Sequence, residues 1–116
     1  MNINFTERDK HLIIALSGEI DHHGSLGIRQ NIDRAFARSS ALNMIFDFSQ
    51  VDFMDSSGIG ILIGRYRELS KQGGKVYAIG LRGEMGRIFE VSGLSRIIPS
   101  YNSLEDVLAY GGGDAI

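Results

Sequence analysis

The chain has 116 residues, a formal net charge of −2 and no cysteine, with 43% hydrophobic and 22% charged residues. This length fits one domain with a single core, and the composition excludes a disordered or fibrous protein. The absence of cysteine excludes disulfides, thiolate metal sites and cysteine nucleophiles. Lysine and arginine are scattered, so nothing indicates nucleic-acid binding, and we expect each of them, including Arg65, on a solvated face.

No segment has the pattern of a targeting or membrane-spanning sequence. The N-terminus lacks a basic region followed by an apolar run, so no signal peptide is predicted. The longest strongly apolar stretch, 59–63, is far shorter than the ~20 residues that a membrane span needs. We therefore expect a cytoplasmic protein that does not insert into a membrane.

Strand and helix patterns alternate along the chain. Short apolar runs predict strands at 3–7, 11–17, 43–48, 75–79 and 96–99. Apolar residues at helical spacing predict four helices. The first covers 25–38, and the second starts within 52–58 and ends at Gly73. The third lies around 85–89 and ends at Gly93, and the fourth follows Ser103.

The predicted order is β-β-α-β-α-β-α-β-α, which indicates the α/β class. Strands that alternate with helices form a mainly parallel sheet, and the first two strands can pair as a hairpin at one side. We therefore expect one domain over residues 1–110, with a mixed sheet of four to five strands and about four helices. Residues 111–116 are glycine-rich and are expected to form a flexible tail.

The segment Asp55-Ser56-Ser57-Gly58 joins the third strand to the second helix. Aspartate and serine are favoured helix N-caps, because their oxygens accept the free N–H groups of the first turn. The same free N–H groups and the helix dipole favour an added anion, so a phosphoserine could be accommodated there. Gly58 lacks a side chain in the first turn, which would let a partner approach the backbone. These arguments do not choose between Ser56 and Ser57.

Three catalytic or ligand-binding interpretations fail on spacing. The run 58–64 has the spacing G-x-G-x-x-x-G and misses the dinucleotide fingerprint by one residue. The adjacent histidines His22 and His23 rarely reach one metal ion, and the only other histidine is His11. The nucleophile-elbow pattern G-x-S-x-G of hydrolases is absent. We expect neither an enzyme nor a bound metal or cofactor.

Four runs of the sequence resemble one known family at matching order and spacing. They are Gly18-Glu19-Ile20-Asp21-His22-His23, Phe53-Met54-Asp55-Ser56-Ser57-Gly58-Ile59-Gly60, Gly64-Arg65-Tyr66 and Val91-Ser92-Gly93-Leu94-Ser95-Arg96-Ile97-Ile98. Together they are similar to the signatures of STAS-domain anti-sigma factor antagonists, and most similar to the signatures of the antagonists that act in sporulation.

The resemblance implies a partner switch. In this family the unphosphorylated protein binds an anti-sigma factor that is also a serine kinase, and a sigma factor is released. The kinase then phosphorylates the first serine of the motif, here Ser56, which ends the binding, and a serine phosphatase resets the protein. The implied partner-binding residues are Asp21, Asp55, Ser56, Ser57 and Gly58. Asp21 matches the family's aspartate that helps engage the kinase, and it can equally act as the N-cap of the first helix.

Two other functions are compatible with the same predicted fold. One is an antagonist in a stress-response circuit, although Asp21-His22-His23 favours sporulation. The other is a nucleotide or small-molecule sensor, as some STAS domains are proposed to be. We expect a monomer, because no apolar stripe is left over once the helices pack on the sheet.

Overall fold

Five strands and four α-helices follow one another in this computed structural model, which describes residues 2–111. The strands are β1 (Asn2–Arg8), β2 (His11–Ile20), β3 (Asn43–Met54), β4 (Val76–Ile79) and β5 (Ser100–Tyr101). The helices are α1 (His22–Arg38), α2 (Ser56–Lys71), α3 (Gly83–Ser92) and α4 (Leu104–Asp106), the last continuing as a π-helical turn over Val107–Gly111. The predicted order of elements is confirmed.

The sheet has the strand order β1-β2-β3-β4-β5, in which only the β1–β2 pair is antiparallel. Arg8 pairs with His11 across the hairpin, and the two turn residues Asp9 and Lys10 have φ values of 51° and 70°. Positive φ at both positions is the geometry of a type I′ turn, whose twist matches that of the strands. The predicted mixed, mainly parallel sheet is confirmed.

The strands β2 and β3 are longer than predicted, and this extension carries the site. Of the residues of β3, only Met44–Asp47 pair with β4, whereas β3 continues to Met54 beside β2. The prediction ended β2 at Ser17-Gly18, but the strand passes through register shifts there, with Gly18 at φ 93°. Glycine tolerates this conformation, so Gly18 lies within a stretch of irregular pairing and is not the end of β2.

The last strand lies later than predicted. A 3-10 turn occupies Leu94–Arg96, and pairing with β4 begins only after Pro99, whose carbonyl accepts a hydrogen bond from the Ala78 N–H at 3.0 Å. Leu94 and Ile98 are both 1% exposed and four residues apart. Residues four apart lie on the same side of a helical turn, so both side chains can be buried together. Pro99 has no N–H to donate to a strand ladder.

The two faces of the sheet are covered unequally. On one face, α1 to α3 pack on alternate residues of β2 and β3, among them Ile14 and Phe46. On the other face, the smaller cluster of Ile45, Tyr77, Ile79 and Val107 lies under the C-terminal turn. The Tyr77 hydroxyl donates to the buried carbonyl of Gly111 at 3.0 Å. Gly111, the first residue of the predicted tail, is thus packed against Tyr77, and the rest of that tail, 112–116, lies outside the described residues.

Arg65 is the exception to the expectation that basic residues are solvated. It lies four residues from both Ile61 and Leu69, which are buried, and so shares the inward face of α2. Arg65 as a whole is 8% exposed, and its guanidinium forms an ion pair with Asp33 of α1. The prediction was wrong here because helical position outweighs residue type.

Candidate partner-binding site

Two helix N-termini lie side by side where β2 and β3 end. Ile20 and Met54 are the last paired residues of these strands, and each is followed by an aspartate, Asp21 or Asp55. The Asp55 N–H donates to the Ile20 carbonyl at 3.1 Å, which ties the two chain segments together. Carboxyl ends of parallel strands are where α/β proteins collect binding residues. Asp21, Asp55, Ser56, Ser57 and Gly58 therefore belong to one region.

Each of the two helices has an aspartate as its N-cap. The Asp21 carboxylate accepts from the Gly24 N–H at 3.2 Å, and the Asp55 carboxylate accepts from the Ser57 N–H at 2.9 Å. The capping role considered for Asp21 is confirmed. With this cap, α1 begins at His22, three residues before the predicted start at Ser25. No acidic residue lies in the first turn of either helix, so the capping carboxylates of Asp21 and Asp55 are the anionic groups at the positive ends of the two helix dipoles.

The two serines of the motif have different surroundings. Ser56 is the first residue of α2; it is exposed, and its hydroxyl makes no hydrogen bond within residues 2–111. Ser57 is half-buried, and its Oγ lies 3.2 Å from Nδ1 of His22. Sequence reasoning set His22 aside with His23 as a weak metal ligand. The signal that could have found its role is its position directly after the cap of α1.

Gly58 is buried against the strand ends. A Cβ placed on it would lie 2.9 Å from Cγ2 of Ile20 and 2.8 Å from Sδ of Met54. The room left by the missing side chain is thus filled from inside the protein and is not open to a partner. Its physical effect is to let the first turn of α2 lie directly on β2 and β3.

A groove of about 350 Å³ leads from Ser56 along α3. Its walls are mostly apolar, with two carboxylates and one guanidinium; they are formed by Met54, Asp55, Ser56, Ile59, Glu84, Arg87, Ile88, Val91 and Ser92. Val91 is 81% exposed, Phe53 near the end of β3 is 42% exposed, and Leu26 in α1 is 60% exposed. Exposed apolar side chains on elements that meet at the site are typical of a protein-binding surface.

Among residues 2–111, no group of three or more histidine, aspartate or glutamate side chains is placed to hold a metal ion. Within the same range, none of the helices is long and apolar enough to cross a membrane.

The family model that describes the STAS domain matches residues 2–107 of this sequence, so the chain belongs to the STAS domain family. The chain is 36% identical over 92 residues, 79% of either protein, to an anti-sigma F factor antagonist of Paenibacillus polymyxa. Its fold is similar to that of the anti-sigma factor antagonist SpoIIAA in its unphosphorylated form, with a TM-score of 0.81 and 28% identity over 97% of both chains. It is also similar to the Bacillus cell fate determinant SpoIIAA in the phosphorylated form, with a TM-score of 0.71 and 29% identity over 93% of this chain and 97% of that one.

Proposed function

We propose that this protein is an anti-sigma factor antagonist whose binding to its partner is ended by phosphorylation of Ser56. The observation that carries the proposal is the contrast between Ser56, exposed and without a hydrogen bond in the described chain, and the hydrogen-bonded residues around it. The similarity to an anti-sigma F factor antagonist and to a protein solved in a phosphorylated form supports it.

The partner in this proposal is an anti-sigma factor that is also a serine kinase. It would contact Asp21, Asp55 and Ser56 at the helix N-termini, together with the apolar side chains along the groove. ATP would belong to the partner, so the protein is a ligand and a substrate and performs no chemistry itself. It works as a monomer in the cytoplasm, and a serine phosphatase restores the free Ser56 hydroxyl.

A phosphate on Ser56 can be tolerated by the fold and still prevent binding. It adds about −1.5 to −2 charges at pH 7, at the positive end of the α2 dipole. The Asp55 carboxylate is next to it in sequence, so two anionic groups would face the partner together. An uncompensated charge buried in a contact costs about 3–5 kcal/mol, which is a loss of roughly two to three-and-a-half decades in affinity. The switch therefore needs no change of the backbone.

The experiment that tests the proposal combines mass spectrometry with binding to the purified cognate anti-sigma factor. With ATP present, wild type should gain one phosphate on Ser56, and Ser56→Ala should bind without gaining any. Ser56→Asp should bind weakly. Ser95→Ala is the matched control, since Ser95 is an exposed serine that lies neither in the motif nor among the residues that line the groove; it should behave as wild type. If all four bind alike and none gains phosphate, Ser56 is only part of a helix N-terminus.

A further inference from the structure

Ser56 and Ser57 present two adjacent hydroxyls to a kinase. If only one of them is phosphorylated, a feature of the site must select it. We propose that His22 is a specificity-determining residue: it holds the Ser57 hydroxyl and leaves Ser56 as the acceptor. This inference rests on the proposed function, because it concerns which atom of the site receives the phosphoryl group. It adds a role for a residue on a different helix, 35 positions away in sequence.

Ser57 is held both at its backbone and at its side chain. Its backbone N–H donates to the Asp55 carboxylate at 2.9 Å, and its Oγ lies 3.2 Å from Nδ1 of His22. His22 is itself positioned as the first residue of α1, directly after the capping Asp21. The hydrogen bond from the Asp55 N–H to Ile20 holds the two helix starts at this spacing. In either tautomer of His22, the Ser57 hydroxyl is turned toward α1.

The chemistry of transfer makes this orientation matter. The attacking Oγ must approach the γ-phosphorus of the kinase-bound ATP in line with the leaving oxygen. A bond forms from Oγ to phosphorus, the bond to the oxygen of ADP breaks, and the hydroxyl proton passes to a base of the kinase. Ser56 is exposed and can make this approach directly. Half-buried Ser57 would first have to leave His22, and one net hydrogen bond corresponds to roughly a two- to tenfold penalty.

A histidine beside a serine can also act as a base and raise the reactivity of its hydroxyl. That role would give the opposite preference, with Ser57 as the acceptor and His22 required for it. The half-burial of Ser57 and the unbonded Ser56 hydroxyl favour the restraining role. The two roles predict different products, so a map of the phosphorylated residue separates them.

The test places His22 substitutions in a Ser56→Ala background, where only Ser57 can respond. After incubation with the purified cognate anti-sigma factor and ATP, Ser56→Ala should carry at most a trace of phosphate, whereas Ser56→Ala/His22→Ala should gain phosphate on Ser57 roughly two- to tenfold faster, as expected for the loss of one hydrogen bond. Asparagine can replace the Nδ1 hydrogen bond, so Ser56→Ala/His22→Asn should lose most of that gain. His23→Ala in the same background is the matched control and should react as slowly as Ser56→Ala, since His23 makes no hydrogen bond to Ser57 in the described chain.

Each outcome decides the question. If wild type is phosphorylated on Ser56 but Ser56→Ala/His22→Ala stays unmodified, His22 is not the selector. If wild type is phosphorylated on Ser57 and His22→Ala loses that phosphate, His22 is an activating base. If wild type gains no phosphate, the proposed function fails, and the hydrogen bond is judged by NMR of the histidine ring nitrogens. The Nδ1 shift of His22 should then change in Ser57→Ala, and an unchanged shift overturns the inference.

Discussion

The imidazole of His11 packs edge-on against the ring of Tyr77, with the ring centroids 6.1 Å apart and the planes at 73°. Nδ1 of His11 is buried and has no hydrogen-bond partner in residues 2–111. Burial lowers the pKa of His11 below its ordinary value of 6.5, and the weaker opposing effect comes from the Asp9 carboxylate. Since Tyr77 also holds the Gly111 carbonyl, the neutral imidazole is part of the face on which the C-terminal turn rests.

His11 should make the protein less stable in mild acid. The unfolded chain takes up its proton near pH 6.5, whereas the folded chain takes it up only at a lower pH, so the unfolded state binds more protons in between. Stability should be unaffected by His11 above this window and should fall as the pH drops from about 6.5 through the lowered pKa. Urea unfolding at several pH values, compared with His11→Gln, isolates this effect. Equal pH dependence in the two proteins would contradict it.

The ion pair between Arg65 and Asp33 should contribute more than exposed pairs do. The Arg65 side chain is only 10% exposed, so Asp33→Ala leaves a buried guanidinium without its carboxylate. Because Asp33 itself is half exposed, the expected loss is about 1–2 kcal/mol, less than for a fully buried pair. Glu68→Ala is the control, since Glu68 pairs with Lys71 in solvent and should cost under about 0.5 kcal/mol. Equal losses in denaturant unfolding would refute the distinction.

Two glycines of the same helix should respond in opposite directions to alanine. Gly58→Ala forces a methyl group against Ile20 and Met54 and should destabilise the protein by about 1–3 kcal/mol. At Gly60 no atom lies within 4 Å of an added Cβ, so Gly60→Ala should stabilise the helix by up to about 1 kcal/mol. Thermal unfolding measures both, and the packing account of Gly58 would be wrong if its variant matched Gly60→Ala.

The elements of this fold could be predicted from local patterns, whereas the contacts of the site could not. Apolar spacing and glycine stops locate the helices, as at Gly73, which has φ 80° after the end of α2. The extension of β3 to Met54 was missed, because it depends on pairing with β2 past two register shifts, and from the sequence alone Gly18 indicates the end of β2. The contact between His22 and Ser57 joins helix starts 35 residues apart, so it follows only from the register of β2 and β3.

We expect the partner to bind only at the end of the sheet that carries Ser56, where β2 and β3 terminate. Leu26 in α1 and Leu42 before β3 are 60% and 57% exposed, which makes them a matched pair. Leu42 lies at the opposite, amino end of β3, where its N–H donates to the Lys10 carbonyl. Leu26→Glu should weaken binding to the anti-sigma factor at least tenfold, because it places a charge beside the contact, while Leu42→Glu should stay within twofold of wild type. Equal effects in calorimetric titrations would remove Leu26 from the interface.

One phosphate on Ser56 should be enough to end partner binding. The most direct measurement is the dissociation constant for the purified anti-sigma factor, determined by calorimetry for the unmodified protein and for protein shown by mass spectrometry to be fully phosphorylated on Ser56. The proposed switch predicts that phosphorylation weakens binding by roughly two to three-and-a-half decades. Affinities that agree within twofold would contradict it, and Ser56 would then be a modified residue without a role in binding.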